Sequence, residues 1–300
     1  MRILVTGAQG YVGSHVVPHL LAAGHDVIGL SRNPPASSLS AAAWLAGDLL
    51  QPGEPARVIA EAAPDIVVHL AWDVTHGSFW TTPANLDWVA ASLALARAAA
   101  EGGVRRFVAT GTCFEYDWPA DGDCIEDVTP LASHTLYDTA KDALRRVLTA
   151  YGRQTGMGFA WGRLFHLFGG PEHRARLVPD VITAVLDGRA AECASGRPVR
   201  DYMDVRDAGA AIAALALSRA QGDFNIATGV GVAIADIARM IGDLTKHPEL
   251  IALGARPDRE GEPPRIVGDI SRLRRETGFA PSISLETGLG DAIDYWRSQR

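Results

Sequence analysis

The chain has 300 residues, of which 47% are hydrophobic and 21% are charged, and its formal net charge is −7. This length and hydrophobic content are sufficient for a buried core of ordinary size. A negative net charge opposes binding to the nucleic-acid backbone, which requires a basic face, so we expect a small-molecule partner and no nucleic acid.

The early apolar run at residues 2–5 is followed at once by a Thr-Gly turn, so it is too short for a signal-peptide core or a membrane span. Cys113, Cys124 and Cys193 are far apart, and neither a Cys-x-x-Cys spacing nor a nearby histidine pair completes a zinc set. We therefore expect a cytoplasmic protein with no membrane association, no disulfide framework and no metal.

The first half of the chain alternates short β-rich runs with longer helical runs. Strands are predicted at residues 2–6, 26–30, 66–70, 107–110 and 159–163. Helices are predicted between them at residues 13–23, 56–62, 85–101 and 137–151. Because these strands are almost continuously apolar, as strands covered on both faces are, the pattern predicts an α/β Rossmann fold with a doubly wound parallel sheet.

After residue 165 the pattern loosens into a region rich in Gly, Pro and Arg. Short helices are predicted there at residues 178–186, 205–217 and 234–244. We assign residues 1–165 to the Rossmann domain, with a return segment at 203–227. Residues 166–202 and 228–300 are assigned to a smaller, discontinuous C-terminal portion.

Three glycines follow the first predicted strand and precede the first helix. Gly7, Gly10 and Gly13 are spaced three apart. A tight turn needs a residue without Cβ, close approach to a pyrophosphate needs a second, and helix-to-strand packing needs the third, while the helix N-terminus attracts the anion. The spacing and context predict a dinucleotide-binding turn, which Tyr11 and Val12 also line.

The second strand ends at Ser31 and Arg32, where an NAD-specific enzyme offers an acidic residue to the ribose 2′-hydroxyl. Arg32 can instead pair with a 2′-phosphate, which favours NADP, with NAD as the alternative; a solvated surface arginine is the alternative interpretation. Asp48 can accept a bond from the adenine amino group or be an exposed loop residue. The other residues predicted to line the cofactor are Leu49, Leu70 and Ala71.

Tyr137 and Lys141 begin the helix after the fourth crossover, and their i,i+4 spacing puts the phenol and the ammonium on one face. A free phenol has a pKa near ~10, and we expect the adjacent cation to lower it. Thr112 ends the preceding strand and can bond the same substrate oxygen. The three residues predict hydride and proton transfer at one site, where Tyr137 and Lys141 also contact the cofactor.

Three further polar residues are less informative. Asn85 is a weaker catalytic candidate, assigned to fixing its helix or a water near Lys141. His69 lies in an apolar strand and His166 in a Phe-rich run, so each is interpreted as a packing residue without a catalytic role. His166 is nevertheless placed among the residues that line the substrate.

Over nearly its whole length the chain resembles the extended short-chain dehydrogenases/reductases, in the group of nucleotide-sugar epimerases, dehydratases and ketoreductases. Besides the glycine turn, Tyr137 and Lys141, the matching segments are residues 68–71, 85, 110–116, 163–165, 168–169, 200–207, 224–226, 259–262 and 285–289. The resemblance implies that Thr112 belongs to the catalytic group. It also implies a homodimer formed by the helices at 85–101 and 137–151.

The resemblance further implies that Arg200 and Arg259 hold the phosphates of a nucleotide sugar. The other residues assigned to the substrate are Thr112, Cys113, Phe114, His166 and Arg176. Local charge agrees, because an acidic protein here has a basic interval, as a pyrophosphate requires. Its members are Arg163, Arg174, Arg176, Arg189, Arg197, Arg200 and Arg206. A solvated face is the alternative for four of them, Arg174, Arg189, Arg197 and Arg206.

Dehydratases of this group carry an Asp-Glu pair directly after the catalytic threonine. Cys113 and Phe114 stand there instead, and Glu115 is offset by one residue, which would turn it to the opposite face of an extended segment. Double epimerases place a cysteine two residues before the tyrosine that matches Tyr116, whereas Cys113 lies three before it. The sequence therefore disfavours both reactions.

Two reactions remain. One is NADPH-dependent reduction of a 4-keto-6-deoxy nucleotide sugar with Tyr137 as proton donor; the other is NAD-dependent 4-epimerisation. Arg32 favours the reductase, because an epimerase regenerates its own cofactor and typically retains NAD. A non-catalytic dinucleotide-sensing protein is the alternative from a different class, and the intact catalytic group argues against it.

Overall fold

The computed structural model describes residues 1–35 and 43–300. Its strands are β1 (Arg2–Thr6), β2 (Asp26–Ser31), β3 (Ala43–Ala46), β4 (Ile66–His69), β5 (Arg106–Thr112), β6 (Gly158–Leu164), β7 (His166–Phe168), β8 (Ala191–Glu192), β9 (Val199–Asp204), β10 (Gly222–Ile226), β11 (Gly231–Ala233), β12 (Ile251–Ala252) and β13 (Arg265–Ile266).

The α-helices alternate with these strands and cover them. They are α1 (Gly13–Ala22), α2 (Glu54–Ala62), α3 (Ala84–Glu101), α4 (Leu136–Thr155), α5 (Leu177–Leu186), α6 (Val205–Leu217), α7 (Ile234–Thr245), α8 (Ser271–Thr277) and α9 (Leu285–Ser298). Short 3-10 turns occupy Cys113–Glu115 and Pro248–Leu250. None of the helices in the described ranges is long and apolar enough to cross a membrane.

Seven strands form one parallel sheet in the order β10-β6-β5-β4-β1-β2-β3. The order reverses beside β1, so the carboxyl ends of β1, β4 and β5 meet at one edge, where open α/β sheets bind their ligands. Thr6 pairs with His69 at this edge, and Thr112 pairs with Leu164. The predicted doubly wound α/β fold is confirmed.

The central strands are buried on both faces, as their apolar runs require. On β1, Ile3 and Val5 pack into a core shared with α1 and α6, whereas Leu4 points into the core shared with α2, α3 and α4. Neighbouring residues of one strand thus belong to different cores, because side chains alternate across the sheet.

The rest of the chain forms a smaller layer beside the carboxyl edge. β9 is the central strand of a second sheet and pairs with β7, β11 and β13. A separate core lies among α5, α7 and α9. The chain returns to the main sheet through β10, inside the 203–227 segment. The division into two domains stays a prediction.

Candidate functional site

The turn between β1 and α1 leaves no room for side chains at its glycines. Gly7 has a φ of 68°, and a Cβ there would lie 2.9 Å from the backbone nitrogen of Ala71. A Cβ on Gly13 would lie 2.1 Å from the carbonyl oxygen of Gly7, and one on Gly10 would lie 3.0 Å from the same atom. The backbone can therefore be approached closely here, beside the N-terminus of α1.

Thr6 ties this turn to β4, a role that the sequence analysis missed. Its Oγ1 accepts the N–H groups of Leu70 at 3.1 Å and Ala71 at 3.2 Å, and it lies 2.7 Å from Nδ1 of His69. The other ring nitrogen of His69 is 2.8 Å from the Ser92 hydroxyl. Burial lowers the pKa of His69 to about 3, so the ring is a neutral, fully bonded packing residue.

The side of the turn assigned to the adenosine is more polar. The Ser31 hydroxyl bonds the side chain of Gln9 within the turn, and Arg32 is exposed. Arg32 makes no ion pair with any residue of the described ranges. The Asp48 carboxylate accepts a backbone N–H two residues further on at 3.1 Å, and Leu49 is buried. These residues remain predictions for cofactor binding.

Tyr137 and Lys141 are buried in the first turns of α4. Lys141 Nζ donates to the carbonyl oxygen of Thr110 on β5 at 2.9 Å. It also lies 3.8 Å from the ring centroid of Trp72, a contact that nothing in the sequence motifs indicates. The ammonium is thus held between β5 and an indole face, which attracts cations through the ring quadrupole.

The pKa shifts correct one expectation. Burial raises the pKa of Tyr137, and the charges of Glu115 and Cys113 add to the rise. The predicted lowering of this pKa was wrong for the protein alone, because desolvation of the phenolate outweighs the nearby positive charge, which is that of Arg176. Burial lowers the pKa of Lys141 to about 7, although Glu115 raises it. The phenol therefore stays protonated, while the lysine titrates near neutrality.

Thr112 is fixed at the end of β5 by Glu115. The segment after Thr112 is a 3-10 turn and not extended, so Glu115 folds back and its Oε1 accepts the Thr112 N–H at 3.0 Å. The Thr112 hydroxyl oxygen accepts only a long bond, 3.3 Å, from the Phe114 N–H. Its proton is free to serve a ligand. The extended segment that would have turned Glu115 to the opposite face is therefore absent here.

Glu115 belongs to a buried ion network that joins three strands. Its Oε2 is 2.7 Å from Nε of Arg163, whose Nη2 is 2.9 Å from Asp223 on β10. The Arg163 side chain is only 1% exposed. Because both of its charged partners are internal, Arg163 has a structural role. Its assignment to the basic interval that binds a pyrophosphate was wrong.

Aromatic rings surround the catalytic phenol. The centroid of Phe79 lies 4.9 Å and that of Trp80 lies 5.8 Å from the Tyr137 ring, both edge-on. Trp80 also packs edge-on against Phe114 at 4.9 Å. Phe114 in turn lies 6.0 Å from His166. One side of the Tyr137 ring is therefore bordered by an aromatic wall formed by Phe79, Trp80 and Phe114.

Asn85 holds the loop that carries these rings. Its Nδ2 donates to the carbonyl oxygens of Phe79 at 2.8 Å and Thr82 at 3.0 Å, and its Oδ1 accepts the Trp72 Nε1–H at 2.9 Å. It does not bond Lys141; the indole of Trp72 links the two. Asn85 thus acts on the site through the loop, and its predicted role beside a water stays untested.

The residues assigned to the substrate are not all brought together. Arg200 is buried and pairs with Glu262 at 2.8 Å, whereas Arg259 is exposed. Nε of Arg176 lies 2.9 Å from Glu172, which the sequence analysis missed because a lone glutamate in a loop carries no signal. Burial raises the pKa of the Cys113 thiol, which makes it a poor acid or base at neutral pH.

Tyr11 and Val12 link the glycine turn to the substrate side. Val12 is the N-cap of α1, and the Tyr11 hydroxyl donates to the carbonyl oxygen of Gly169 at 3.2 Å. In the described part of the chain, no three His, Cys, Asp or Glu side chains are grouped to hold a metal. The site therefore consists of a backbone cradle, a Thr-Tyr-Lys group and an aromatic and charged wall.

Comparison with known proteins gives three findings. A family model described as "NAD dependent epimerase/dehydratase family" matches residues 3–227. A UDP-glucose 4-epimerase of Mycolicibacterium smegmatis is 28% identical over 100% of this chain and 99% of its own. A dTDP-6-deoxy-L-talose 4-dehydrogenase (NAD(+)) of Aggregatibacter actinomycetemcomitans is 27% identical over 76% of this chain and 85% of its own.

Among solved structures, the dTDP-glucose 4,6-dehydratase DesIV from Streptomyces venezuelae, with NAD bound, has a TM-score of 0.86 and 26% identity. The match covers 100% of this chain and 98% of that one. The similarity thus extends through both layers of the fold.

Proposed function

The chain belongs to the NAD-dependent epimerase/dehydratase family, and from that premise we propose that it moves a hydride to and from C4 of a nucleotide sugar. We assign 4-epimerisation first: the C4 hydroxyl is oxidised to a ketone and reduced again from the other face. The observation that supports this proposal is the position of Lys141, whose Nζ bonds Thr110, two residues before Thr112, and lies 3.8 Å from the ring of Trp72. Trp72 follows Ala71, whose backbone packs against Gly7 of the glycine turn. The chain is an enzyme of the short-chain dehydrogenase/reductase type, as its sequence resemblance predicts.

Elimination and C3 or C5 epimerisation need an additional acid and base, and the site disfavours them. The two positions after Thr112 hold Cys113, whose thiol is buried, and Phe114, which belongs to the aromatic wall. Glu115 is engaged by Arg163. The full-length matches include both a UDP-glucose 4-epimerase and the 4,6-dehydratase DesIV, so the preference for epimerisation rests on these residues.

The residues present fit a nicotinamide dinucleotide. The glycine turn lacks the Cβ atoms that would fill the cradle, and Thr6 fixes the backbone of Leu70 and Ala71 opposite it. The bound cofactor supplies the hydride acceptor and donor. Lys141 carries the positive charge next to Tyr137, and Thr112 offers a hydroxyl proton to the substrate oxygen.

Tyr137 exchanges the proton of the C4 oxygen. Burial keeps the phenol protonated, which is the form that donates to a ketone oxygen during reduction. Oxidation of the alcohol requires the phenolate, whose charge the Lys141 ammonium stabilises. The aromatic wall of Phe79 and Trp80 excludes water, which strengthens both interactions.

The second candidate is NADPH-dependent reduction of a 4-keto-6-deoxy nucleotide sugar, and Arg32 favours it. Its guanidinium is exposed and has no ion-pair partner in the described ranges, so it is available to a 2′-phosphate. One observation weighs against NADP. The structure of DesIV, which matches this chain over its full length, was determined with NAD bound. NAD is therefore our first choice of cofactor.

A paired assay tests the two candidates. Purified protein is given UDP-galactose with NAD, and separately a 4-keto-6-deoxy sugar nucleotide with NADPH or NADH, with absorbance followed at ~340 nm. We expect UDP-glucose from UDP-galactose without net change in NADH, and no product with Tyr137→Phe. Net NADPH oxidation without epimerisation would establish the reductase. In that case Arg32→Asp should raise the KM for NADPH about 10-fold to 100-fold.

We also propose that the enzyme forms a homodimer through α3 and α4. On α4, Val147 is half exposed, and it lines a shallow surface depression with Ala143, Arg146, Ala150, Tyr151 and Gln154. Such a face suits close helix packing between two copies. Light scattering on wild type and Val147→Glu should give a dimer and a monomer, respectively; a wild-type monomer contradicts the proposal.

A further inference from the structure

Glu172 lies in the connection between β7 and α5, and the catalytic scheme leaves it without a role. The residue is 8% exposed. One carboxyl oxygen lies 2.9 Å from Nε of Arg176. The other, Oε2, is buried and has no hydrogen-bond partner among the residues that the structure describes. We propose that Glu172 recognises the sugar, with Oε2 bonding a hydroxyl group of the bound nucleotide sugar.

An unpartnered buried carboxyl oxygen is costly, and buried polar atoms of native proteins nearly always have a partner. A second such atom lies on the same wall: Nδ1 of His166 is also buried without a partner. The His166 ring lies 5.3 Å from the ring of Tyr202, and Glu172 is among the charges that shift the pKa of Tyr202 after burial. Two polar atoms without partners thus flank one tyrosine, as expected of a wall that binds a polyhydroxylated ligand.

The position of the Glu172–Arg176 pair indicates which ligand supplies the hydroxyl. The charge of Arg176 lowers the pKa values of both His166 and Tyr137, although burial is the larger influence on each. On the other side, Glu172 follows burial as the next cause that raises the pKa of Tyr11, in the glycine turn. Contacts of neighbouring residues locate the pair: the Tyr11 hydroxyl bonds Gly169, and the ring of His173 stacks at 4.8 Å on His76, in the loop that carries Phe79 and Trp80. The connection therefore lies beside both the cofactor turn and the loop that packs on Tyr137. We place the sugar that Tyr137 acts on in this space, so this inference rests on the proposed function.

The surroundings also determine the form in which Glu172 acts. Burial raises its pKa to about 8, and Arg176 opposes the rise. Tyr11 and Tyr202, which face it from the glycine turn and from β9, also have raised pKa values and stay neutral. At neutral pH the carboxyl is therefore largely protonated. Oε2 donates to an oxygen of the sugar, while Oε1 stays 2.9 Å from Nε of Arg176.

The test compares Glu172→Gln with Glu172→Leu. Glutamine keeps a neutral acceptor for Arg176 and an N–H donor in place of the Oε2 proton, whereas leucine keeps only the volume. The NAD-saturated proteins are titrated by calorimetry at pH ~7 with UDP-galactose and with its 2-, 3- and 6-deoxy analogues, and the unliganded proteins with NAD. Glu249→Leu, an exposed change in a 3-10 turn, is the matched control.

We expect wild type and Glu172→Gln to bind one deoxy analogue about tenfold more weakly than UDP-galactose, and Glu172→Leu to bind both equally. NAD affinity should stay within about threefold in every variant. Unfolding temperatures that remain at the wild-type value would show that the variants fold.

Three results overturn the inference. Discrimination by Glu172→Leu that equals that of wild type shows that no sugar hydroxyl is bonded there. A loss confined to NAD affinity assigns the contact to a hydroxyl of the cofactor instead. If the wild-type protein neither binds nor converts a nucleotide sugar, both the proposed function and this inference are contradicted. If the wild type turns over normally and Glu172→Leu discriminates between the analogues as wild type does, only this inference is contradicted.

Discussion

The glycine turn and the wall of side chains near Tyr137 are built in opposite ways. The turn consists of backbone, and its geometry requires residues that have no Cβ, because a Cβ on Gly13 would lie 2.1 Å from a carbonyl oxygen. The wall is made of large side chains, among them Trp80, Phe114 and the Glu172–Arg176 pair. A turn that has no room for a Cβ tolerates only glycine, whereas the side chains of a wall can be substituted to suit another ligand.

The largest effect should come from placing a side chain in the turn. In Gly13→Ala the Cβ meets the carbonyl oxygen of Gly7, so helix and strand must separate; we expect loss of NAD binding and a drop in stability of about 4 kcal/mol or more. Gly290→Ala is the matched control, because nothing lies within 4 Å of its added Cβ. Thermal unfolding with and without NAD measures both. Wild-type NAD affinity in Gly13→Ala would contradict the role of the turn.

The second-largest effect should come from removal of the Tyr137 hydroxyl. Tyr137→Phe keeps the edge-on packing against Phe79 and Trp80 but cannot supply the proton, so kcat should fall about 10²-fold to 10⁴-fold. NAD affinity should stay within a few-fold, since the ring remains. Steady-state rates and fluorescence titration separate the two. Near-normal turnover would exclude Tyr137 as the proton donor.

A change in the wall should affect binding more than chemistry. In Arg200→Ala, loss of a buried cation that is proposed to hold a phosphate should raise the KM for the sugar nucleotide about tenfold or more at nearly constant kcat. Arg197→Ala is the control, since that arginine pairs with Asp258 at the surface. An unchanged KM in Arg200→Ala would remove Arg200 from the substrate site.

The smallest expected effect concerns the pH dependence of NAD affinity and tests Lys141, which lies where the turn and the wall meet. Its pKa of about 7 means that the ammonium loses its proton as pH rises through neutrality, so NAD affinity should decline there. Trp72→Leu removes the cation–π contact, which favours the charged form, and should move this decline down by about half a pH unit to one unit. Trp72→Phe keeps a ring but also lacks the bond to Asn85, and should behave as wild type. Identical pH profiles for all three would show that the indole does not influence Lys141.

The same contrast explains what the sequence could predict. The glycine turn and most of the first strands and helices were predictable, because steric demands and hydrophobic periodicity are local, whereas β3 was not predicted. The catalytic role of the Thr-Tyr-Lys group stays a prediction. The position of Glu115 was not, since it depends on a 3-10 turn and on Arg163, 48 residues away. Trp72 and Glu172 were missed because a single side chain gives no sign of its partners. The function of buried charges follows from tertiary neighbours, which no local pattern encodes.

The ion network of Glu115, Arg163 and Asp223 also bears on how the chain acquires activity during synthesis. Asp223 follows Arg163 by 60 residues and lies on the strand that closes the sheet beyond β6. A nascent chain that has emerged only to about residue 165 would leave Arg163 without this partner and β6 as an unprotected edge, open to wrong pairing. The carboxyl end of β5 should therefore reach its final structure only after β10 has been synthesised. Fragments that end before β10 should aggregate and bind no cofactor.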